Sequence, residues 1–160
     1  MILKGSQSAV TSATTLGRAT RIRVNATNAG TITIAAPVGT FNAQSAVDGA
    51  AITVSSHGFV SGDEVTYSDG GGTTLAELVD GTTYFIKVAD ANTVNLSQTV
   101  GGTAISLTDG GSENHTITAT NTHAGTVVMV ADQVIILDKK PSDTIACSAA
   151  MSCTSIGTQP

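Results

Sequence analysis

Aromatic and charged side chains are both scarce in this sequence. Aromatic residues make up 3% of the 160 positions, tryptophan is absent, and charged residues make up 12%, which is about half the share found in ordinary globular domains. The mean hydropathy is nevertheless positive. Disordered chains combine high charge with low hydropathy. This composition therefore predicts a folded protein, part of whose surface is not meant for water.

Long apolar runs are also missing. No stretch approaches the roughly 18 consecutive apolar residues of a membrane-spanning helix, and segment 1–13 has no apolar run long enough for a secretory signal. We therefore expect no membrane partner, no signal peptide and synthesis in the cytoplasm.

Cysteine is nearly absent, with only Cys147 and Cys153. If both lay on one continuous strand, their Cα atoms would be about 20 Å apart, which is beyond the reach of a disulfide. No histidine or further cysteine lies nearby in sequence to complete a metal site. We expect two small buried side chains.

Short segments with alternating apolar and polar residues recur along the chain. Alternation places the apolar side chains on one face of a strand, and turn signals rich in glycine, aspartate and asparagine separate the segments. Evenly spaced short strands predict an all-β fold, a small sandwich or barrel. The predicted strands are 21–25, 31–34, 51–54, 64–67, 83–88, 93–96 and 104–107.

The last forty residues follow other patterns. Segments 126–130 and 134–137 are continuous apolar runs, which predict strands buried on both faces. In a small β protein the second face often belongs to another subunit. N-cap residue types at 141–144 predict a short helix over 145–149, followed by a final strand over 151–156.

Charge divides the chain into three parts. Residues 1–44 carry +4, residues 45–119 carry −8 and residues 120–160 carry −1. Four of the five aromatic residues also lie in the acidic middle. We predict a split β-sandwich formed by 1–42 and 120–160, interrupted by an inserted acidic β module at 43–119. The split sandwich lacks large side chains for its core, so we expect a homo-oligomer.

Three strings in the terminal parts carry a resemblance to a known family. They are ATRIRV (19–24), AGTITI (29–34) and VIILDKKPSDTIA (134–146). These strings resemble a small β-sandwich family of tailed-bacteriophage virion proteins. The resemblance implies a capsid decoration or cement protein on the outer surface of the head, which would be a trimer, or else a neck, tail or fibre-associated component.

The middle of the chain resembles a β module inserted in phage and bacterial surface proteins. The matching strings are HGF (57–59), GDEVTY (62–67), LVDGTTY (78–84) and DANTVNL (90–96). Neither resemblance brings a catalytic residue with it. The protein is therefore expected to act in the virion, not as an enzyme.

Segment 55–67, SSHGFVSGDEVTY, contains the residue types of a hydrolase triad. Catalysis would need a serine nucleophile, His57 as base and Asp63 as its orienting partner. Adjacent strand residues point to opposite faces, and the G-x-S-x-G elbow is missing. We interpret the segment as a turn, in which Gly58 takes a positive φ and Phe59 enters the core.

Glycine-rich segments 69–72 and 109–113 are the nearest approach to metal loops. Ca²⁺ needs six to eight oxygen ligands, and each segment offers one or two carboxylates. His115 and His123 have no carboxylate or thiol at ligand spacing. We predict hairpin turns, with no metal and no cofactor.

Partner contacts are expected on the terminal parts of the chain. The major capsid protein, another virion structural protein or a second copy of this chain would be the partner. An isoelectric point near 4.8 argues against nucleic acid. A carbohydrate- or receptor-binding module is the alternative, and it would need an exposed aromatic such as Tyr67 or Tyr84. The candidate docking residues are Arg18, Arg21, Arg23, Val128, Val130, Lys139 and Lys140.

Overall fold

The computed structural model describes residues 2–3, 8–16, 19–108, 110–120, 123–149 and 151–157. These residues form antiparallel strands and contain no helix, which confirms the all-β prediction. In chain order the strands are β1 Ile2–Leu3, β2 Ser8–Ala9, β3 Arg21–Ala26, β4 Gly30–Ala35, β5 Val38–Asn42, β6 Val47–Asp48, β7 Ala51–Thr53, β8 Glu64–Ser68, β9 Thr83–Val88, β10 Thr93–Ser97, β11 Asn114–Ala119, β12 Gly125–Met129, β13 Val134–Asp138, β14 Thr144–Cys147 and β15 Met151–Gly157.

The chain forms two compact units. The first unit contains Met1–Ala36 and Asn121–Pro160, and the second contains Pro37–Thr120. The first join lies six residues earlier than the sequence analysis placed it, because β5 pairs with β11 of the second unit. Phe41 on β5 therefore belongs to the second unit, which holds every aromatic residue of the chain.

Two facing sheets build the first unit as a sandwich. One sheet contains β13, β3 and β15, with β1 and β2 added beyond β15; the other has the order β12, β4, β14. Alternate residues of each strand point inward, as in the burial of Ile22 and Val24 on β3 and of Ile32 on β4. The core they form contains aliphatic and sulfur side chains and no ring.

A single seven-stranded sheet builds the second unit, in the order β5, β11, β8, β9, β10, β7, β6. In a flat sheet the two terminal strands would stand about 29 Å apart. Here β5 and β6 are joined directly through residues 43–46, and five residue steps reach at most about 18 Å. The sheet must therefore curl on itself, and it encloses Phe41, Phe59, Tyr67 and Tyr84, all at least 96% buried.

The predicted helix at 145–149 is wrong, because residues 144–147 form β14 on the edge of β4. Ile145 and Cys147 alternate into the core, so burial of a period-two pattern prevails over the cap signal. Asp143 caps a turn: its Oδ2 accepts a hydrogen bond from the Lys140 backbone N–H at 2.7 Å. Segment 104–107 is not a strand, although the Ile105 N–H donates to the Leu96 carbonyl at 2.8 Å.

The cysteines also depart from the expected geometry. Cys147 ends β14 in one sheet and Cys153 lies on β15 in the other, so the two residues do not share a continuous strand. Both are free thiols, and both are buried in the core of the first unit as predicted.

Candidate functional site

One side of the first unit ends in two strands that lack a second neighbour within the described chain. β12 pairs with β4 only, and β13 pairs with β3 only. The corner at 130–133 joins these two edge strands. It is fixed to the end of β3, because the Asp132 N–H donates to the Ala26 carbonyl at 2.8 Å and the Ala26 N–H donates to the Gln133 carbonyl at 2.9 Å.

The outward side chains of this edge are apolar and exposed. Met129 points into the core, while Val128 and Val130 are 73% and 63% exposed. On β13, Ile135 and Leu137 pack against the core, and Val134 and Ile136 are 46% and 52% exposed. The prediction that both runs are buried on both faces is therefore wrong for the single chain. We call Val128, Val130, Val134 and Ile136 the apolar edge.

An ion pair lies beside the apolar edge on the sheet of β13. Arg21 Nε donates to Asp138 Oδ1 at 2.6 Å and Arg21 Nη2 donates to Oδ2 at 3.1 Å. This fork raises the pKa of Arg21 and holds the pKa of Asp138 below its ordinary value. Arg23 is half-buried and stands opposite Ile136 in the strand register.

Lys139 was predicted to be a docking residue, and this prediction is wrong because its side chain is not exposed. It is 97% buried, and its Nζ donates to the carbonyl oxygens of Lys140 and Asp143, each at 2.9 Å. The side chain thus ties the 140–143 turn together and does not present a charge to a partner. Lys140 is half-buried in the same turn. Arg18 lies outside the described residues.

A shallow cavity of about 340 Å³ opens near the ion pair. It is lined by Thr20, Arg21, His123, Asp138, Lys139 and Ile156. The opposite charges of Arg21 and Asp138 face each other there, so the cavity presents no concentrated charge of one sign to a ligand.

The segment around His57 is a turn in the second unit. His57 Nδ1 accepts a hydrogen bond from the Phe59 N–H at 3.0 Å, and Nε2 lies 2.9 Å from the Asp90 carbonyl oxygen. An N–H can only donate and a carbonyl can only accept, so Nε2 carries the ring proton. Both ring nitrogens are committed to backbone groups. Asp63 Oδ2 instead accepts from the Val60 N–H at 2.9 Å.

The two details predicted for this turn are confirmed. Gly58 has φ +72°, and Phe59 is fully buried with its ring stacked on His57. Ser56 also has a positive φ, and its side chain is exposed. The residues of the supposed triad therefore serve the turn separately and do not converge.

A buried polar pair lies deeper in the second unit. Tyr67 Oη and His115 Nδ1 are 2.7 Å apart, and the Leu75 N–H donates to the same hydroxyl at 3.4 Å. The hydroxyl and His115 Nδ1 share one hydrogen bond, whose direction depends on the tautomer of the ring, and His115 Nε2 is buried without a partner. Burial raises the pKa of Tyr67. Tyr67 and His115 lie on neighbouring strands but are 48 residues apart in the chain, and the sequence carries no sign of this contact.

The glycine-rich loop 69–72 uses its carboxylate internally. Asp69 accepts hydrogen bonds from the Thr74 hydroxyl and, at 2.8 Å, from the Gly71 N–H. These two donors, the hydroxyl first, lower the pKa of Asp69. Among the described residues, no three His, Cys, Asp or Glu side chains are grouped to hold a metal.

No helix among the described residues is long and apolar enough to cross a membrane. No family model, curated protein or solved structure matches the chain.

Two participants in the edge were not among the candidate docking residues. Val134 and Ile136 belong to a run that was recognised only as apolar, and their outward direction depends on the register between β13 and β3. Asp138 was likewise not identified as the partner of Arg21. The alternation of β3 places Arg21 on an outer face, but sequence alone does not say which strand lies beside it.

Proposed function

We propose that the protein is a non-enzymatic structural component of a tailed-phage virion, a decoration or cement protein on the outer surface of the capsid. Its partners would be the major capsid protein and further copies of itself. The first unit attaches to the particle and the second unit is displayed.

The observation that supports a role in an assembly is the apolar edge, whereas the choice of a virion rests on the resemblance carried by segments 19–24, 29–34 and 134–146. An exposed apolar edge strand is a template for pairing with another chain, and soluble proteins usually protect such edges with lysine, proline or bulges. Segment 125–137 contains no lysine and no proline, and its single charge is Asp132 in the corner. An assembly that covers the edge removes this liability.

The net charges of the two units support the proposal that the first attaches to the particle and the second is displayed. The first unit carries +3 and the second carries −8. A net negative displayed part keeps a large particle soluble, while a weakly charged attaching part loses little solvation when it is buried.

A non-enzymatic role is supported by the His57 turn, whose ring nitrogens are both occupied by the backbone. The carbohydrate-binding alternative gains no support, since it needs exposed rings. Tyr67 and Tyr84 are buried, and Phe85 is half-buried.

Analysis of particles from the phage or prophage that carries the gene tests the virion role directly. The protein should co-purify with heads in many copies. A few copies in tail or neck fractions would favour the alternative component, and absence from purified particles would refute the proposal.

Attachment through the first unit is tested by a deletion. Residues 37–120 are replaced by a short Gly/Ser bridge, and the truncated and full-length chains are compared for incorporation into particles. Retained incorporation supports the proposal. If the truncated chain folds, as judged by circular dichroism, but stays off the particle, then the second unit is the anchor.

Self-association at the apolar edge is tested by sedimentation of the purified protein. A second copy is a suitable occupant, because two uncharged β12 strands can pair without placing like charges opposite each other. Val128→Asp should shift the protein to monomer. Val100→Asp is the matched control, since Val100 is 67% exposed in the second unit. A wild-type monomer at all concentrations, indifferent to Val128→Asp, would contradict self-association.

A further inference from the structure

The two cysteines of the chain meet inside the first unit. Cys147 is 6% exposed and Cys153 is 1% exposed; both belong to one core cluster, in which each thiol is near enough to shift the pKa of the other. Cys147 stands opposite Ile32 of β4, and Cys153 stands opposite Val24 of β3. The thiol pair therefore bridges the two sheets of the sandwich.

The surroundings of the pair exclude two familiar roles for neighbouring cysteines. The core cluster around them contains only apolar side chains, such as Met129, Ile145 and Met151. No histidine, lysine or arginine is among the groups that shift the pKa of either thiol, whereas a reactive cysteine needs such a group to stabilise its thiolate. A structural zinc site needs four ligands, and no group of three is present among the described residues.

We propose that Cys147 and Cys153 are a latent cross-sheet disulfide, which closes when the protein meets a low-molecular-weight disulfide such as oxidised glutathione. This inference does not depend on the proposed virion role. In the folded, reduced protein the two thiols are sheltered, and exchange begins only when the end of β14 opens.

The chemistry proceeds by two thiol–disulfide exchanges. The thiolate of Cys147, the less buried of the two, attacks one glutathione sulfur; a mixed disulfide forms and one glutathione thiolate leaves. The thiolate of Cys153 then attacks the Cys147 sulfur and displaces the second glutathione. The protein loses two protons and two electrons, and one oxidised glutathione becomes two thiols.

Burial makes this reaction slow in the native state. It raises the pKa of the Cys153 thiol to about 12 and also raises the pKa of Cys147, so little thiolate forms near neutral pH. The pair therefore stays reduced through brief exposure to an oxidant. Oxidation is expected to be faster when the protein refolds in the presence of the oxidant.

The disulfide would stabilise the first unit. The first unit has no aromatic side chain in its core, and a covalent bond between its sheets restricts the unfolded chain. The closed loop spans only residues 147–153, so the expected rise in the melting temperature of the first unit is modest, on the order of 10 °C.

The test refolds the full-length protein in oxidised glutathione and, in parallel, in reduced glutathione. Free thiols are counted after denaturation, and intact mass and a non-reducing gel show which bond has formed. We expect both thiols to disappear together, with the loss of two hydrogens, no dimer and a higher melting temperature. Added reductant should reverse all three changes.

Single variants provide the control. Cys147→Ser and Cys153→Ser should each stop at one thiol, which is either free or joined to glutathione, and should gain no stability from the oxidant. The proposal is overturned if wild-type thiols stay free after refolding in the oxidant, if disulfides form only between chains, or if the internal bond lowers the melting temperature.

Discussion

The hydrophobic cores of the two units are filled by different kinds of side chain. The second unit surrounds Phe41, Phe59, Tyr67 and Tyr84 with one curled sheet. The first unit has two facing sheets and only aliphatic and sulfur side chains between them. Because each aromatic ring buries about 150–250 Å², the second unit fills its interior with few residues. The first unit must rely on many small side chains.

Exposed apolar residues are distributed differently as a consequence. In the second unit Val38, Val79 and Val100 are exposed, but they lie on three separate segments. In the first unit the four residues of the apolar edge fall within nine positions of the chain. Scattered exposed valines are ordinary, whereas these four residues lie on two edge strands of two different sheets, joined by the corner at 130–133. Exposed apolar residues in the first unit thus coincide with free sheet edges, where another chain could pair.

The largest expected effect comes from removing a ring of the second unit. Phe59→Ala should lower the free energy of unfolding of that unit by about 3–5 kcal/mol, because a fully buried ring leaves a cavity. Both tyrosines lie in the second unit and both cysteines in the first. Urea denaturation followed by tyrosine fluorescence and by thiol reactivity therefore reports each unit separately.

The control for this substitution is Phe85→Ala, at a half-buried ring on β9. It should cost about 1 kcal/mol, in proportion to the smaller area lost. If Phe59→Ala moves the thiol and tyrosine transitions equally, the two units unfold as one body and the comparison fails.

A smaller effect is expected where glycine permits close packing. A Cβ on Gly39 would lie 2.8 Å from Val54 Cγ1 and 3.0 Å from both Ile117 and Phe59. Gly39→Ala should therefore destabilise the second unit by about 1–3 kcal/mol through overpacking. Gly125 in the first unit has no atom within 4 Å of such a Cβ.

Gly125→Ala is thus the matched control, and it should leave the urea midpoint unchanged or slightly raised, since alanine restricts the unfolded chain. Equal costs at the two positions would show that the close contacts around Gly39 do not limit its side chain.

The sequence was sufficient to predict several strands that bury one face, but not β5 and β11, whose side chains alternate in the same way, and it predicted a strand at 104–107 where none forms. Alternation in 21–25, 64–67 and 83–88 reproduces β3, β8 and β9 within two residues at each end. The same pattern is present at 144–147, but the proline, serine and aspartate before it also resemble the start of a helix. Ile145 and Cys147 already show the alternation, and the free edge of β4, which decides the outcome, is a feature of tertiary structure.

The candidate site was harder to predict, because it depends on strand neighbours. The apolar character of 126–130 and 134–137 is visible in the sequence, but their position at sheet edges is not. Lys139 shows the same limit. A lysine next to a turn usually projects into solvent, whereas here the Lys139 ammonium is buried and donates to the carbonyls of Lys140 and Asp143.

Raising the pH should lower the stability of the first unit before that of the second. Burial raises the pKa of Cys153 to about 12 in the first unit and raises the pKa of Tyr67 in the second. The neutral thiol is favoured in the folded state, so its contribution to stability is complete below the unfolded pKa of about 8.5 and is lost as pH rises toward 12. For Tyr67 the loss begins only above about pH 10.

Between pH 7.5 and 9.5 the urea midpoint of the first unit should therefore fall while that of the second stays constant. The protein is reduced beforehand, the reductant is removed and oxygen is excluded, so that both thiols stay free and thiol reactivity still reports the first unit. Cys153→Ala lowers the midpoint at every pH but should remove much of its slope with pH. A parallel fall in both units, or an unchanged slope in the variant, would contradict the thiol explanation.

The loss of stability of the second unit at low pH should depend on Asp69. The Thr74 hydroxyl and the Gly71 N–H lower its pKa in the folded state, so the stabilisation is present above the unfolded pKa of about 3.9 and is lost as pH falls through the lower folded value. Asp69→Asn should flatten the dependence of the tyrosine-monitored midpoint on pH below about pH 4. Unchanged acid sensitivity would show that other carboxylates control this limb.

The smallest effect is expected at Asp138, although its pKa is lowered as well. Its partner is the Arg21 guanidinium, and the two side chains are 46% and 53% exposed, so water and salt screen their attraction. Asp69 differs because its donors are neutral groups of its own loop, on which ionic strength acts weakly. Asp138→Asn should therefore leave the thiol-monitored midpoint of the first unit unchanged within error at neutral pH. Any loss seen in 10 mM salt should vanish in 0.5 M salt, where the screening length is about 4 Å. A loss that persists at high salt would mean that the pair is held by packing at the apolar edge, and Arg21→Ala would then have to show the same salt-independent cost.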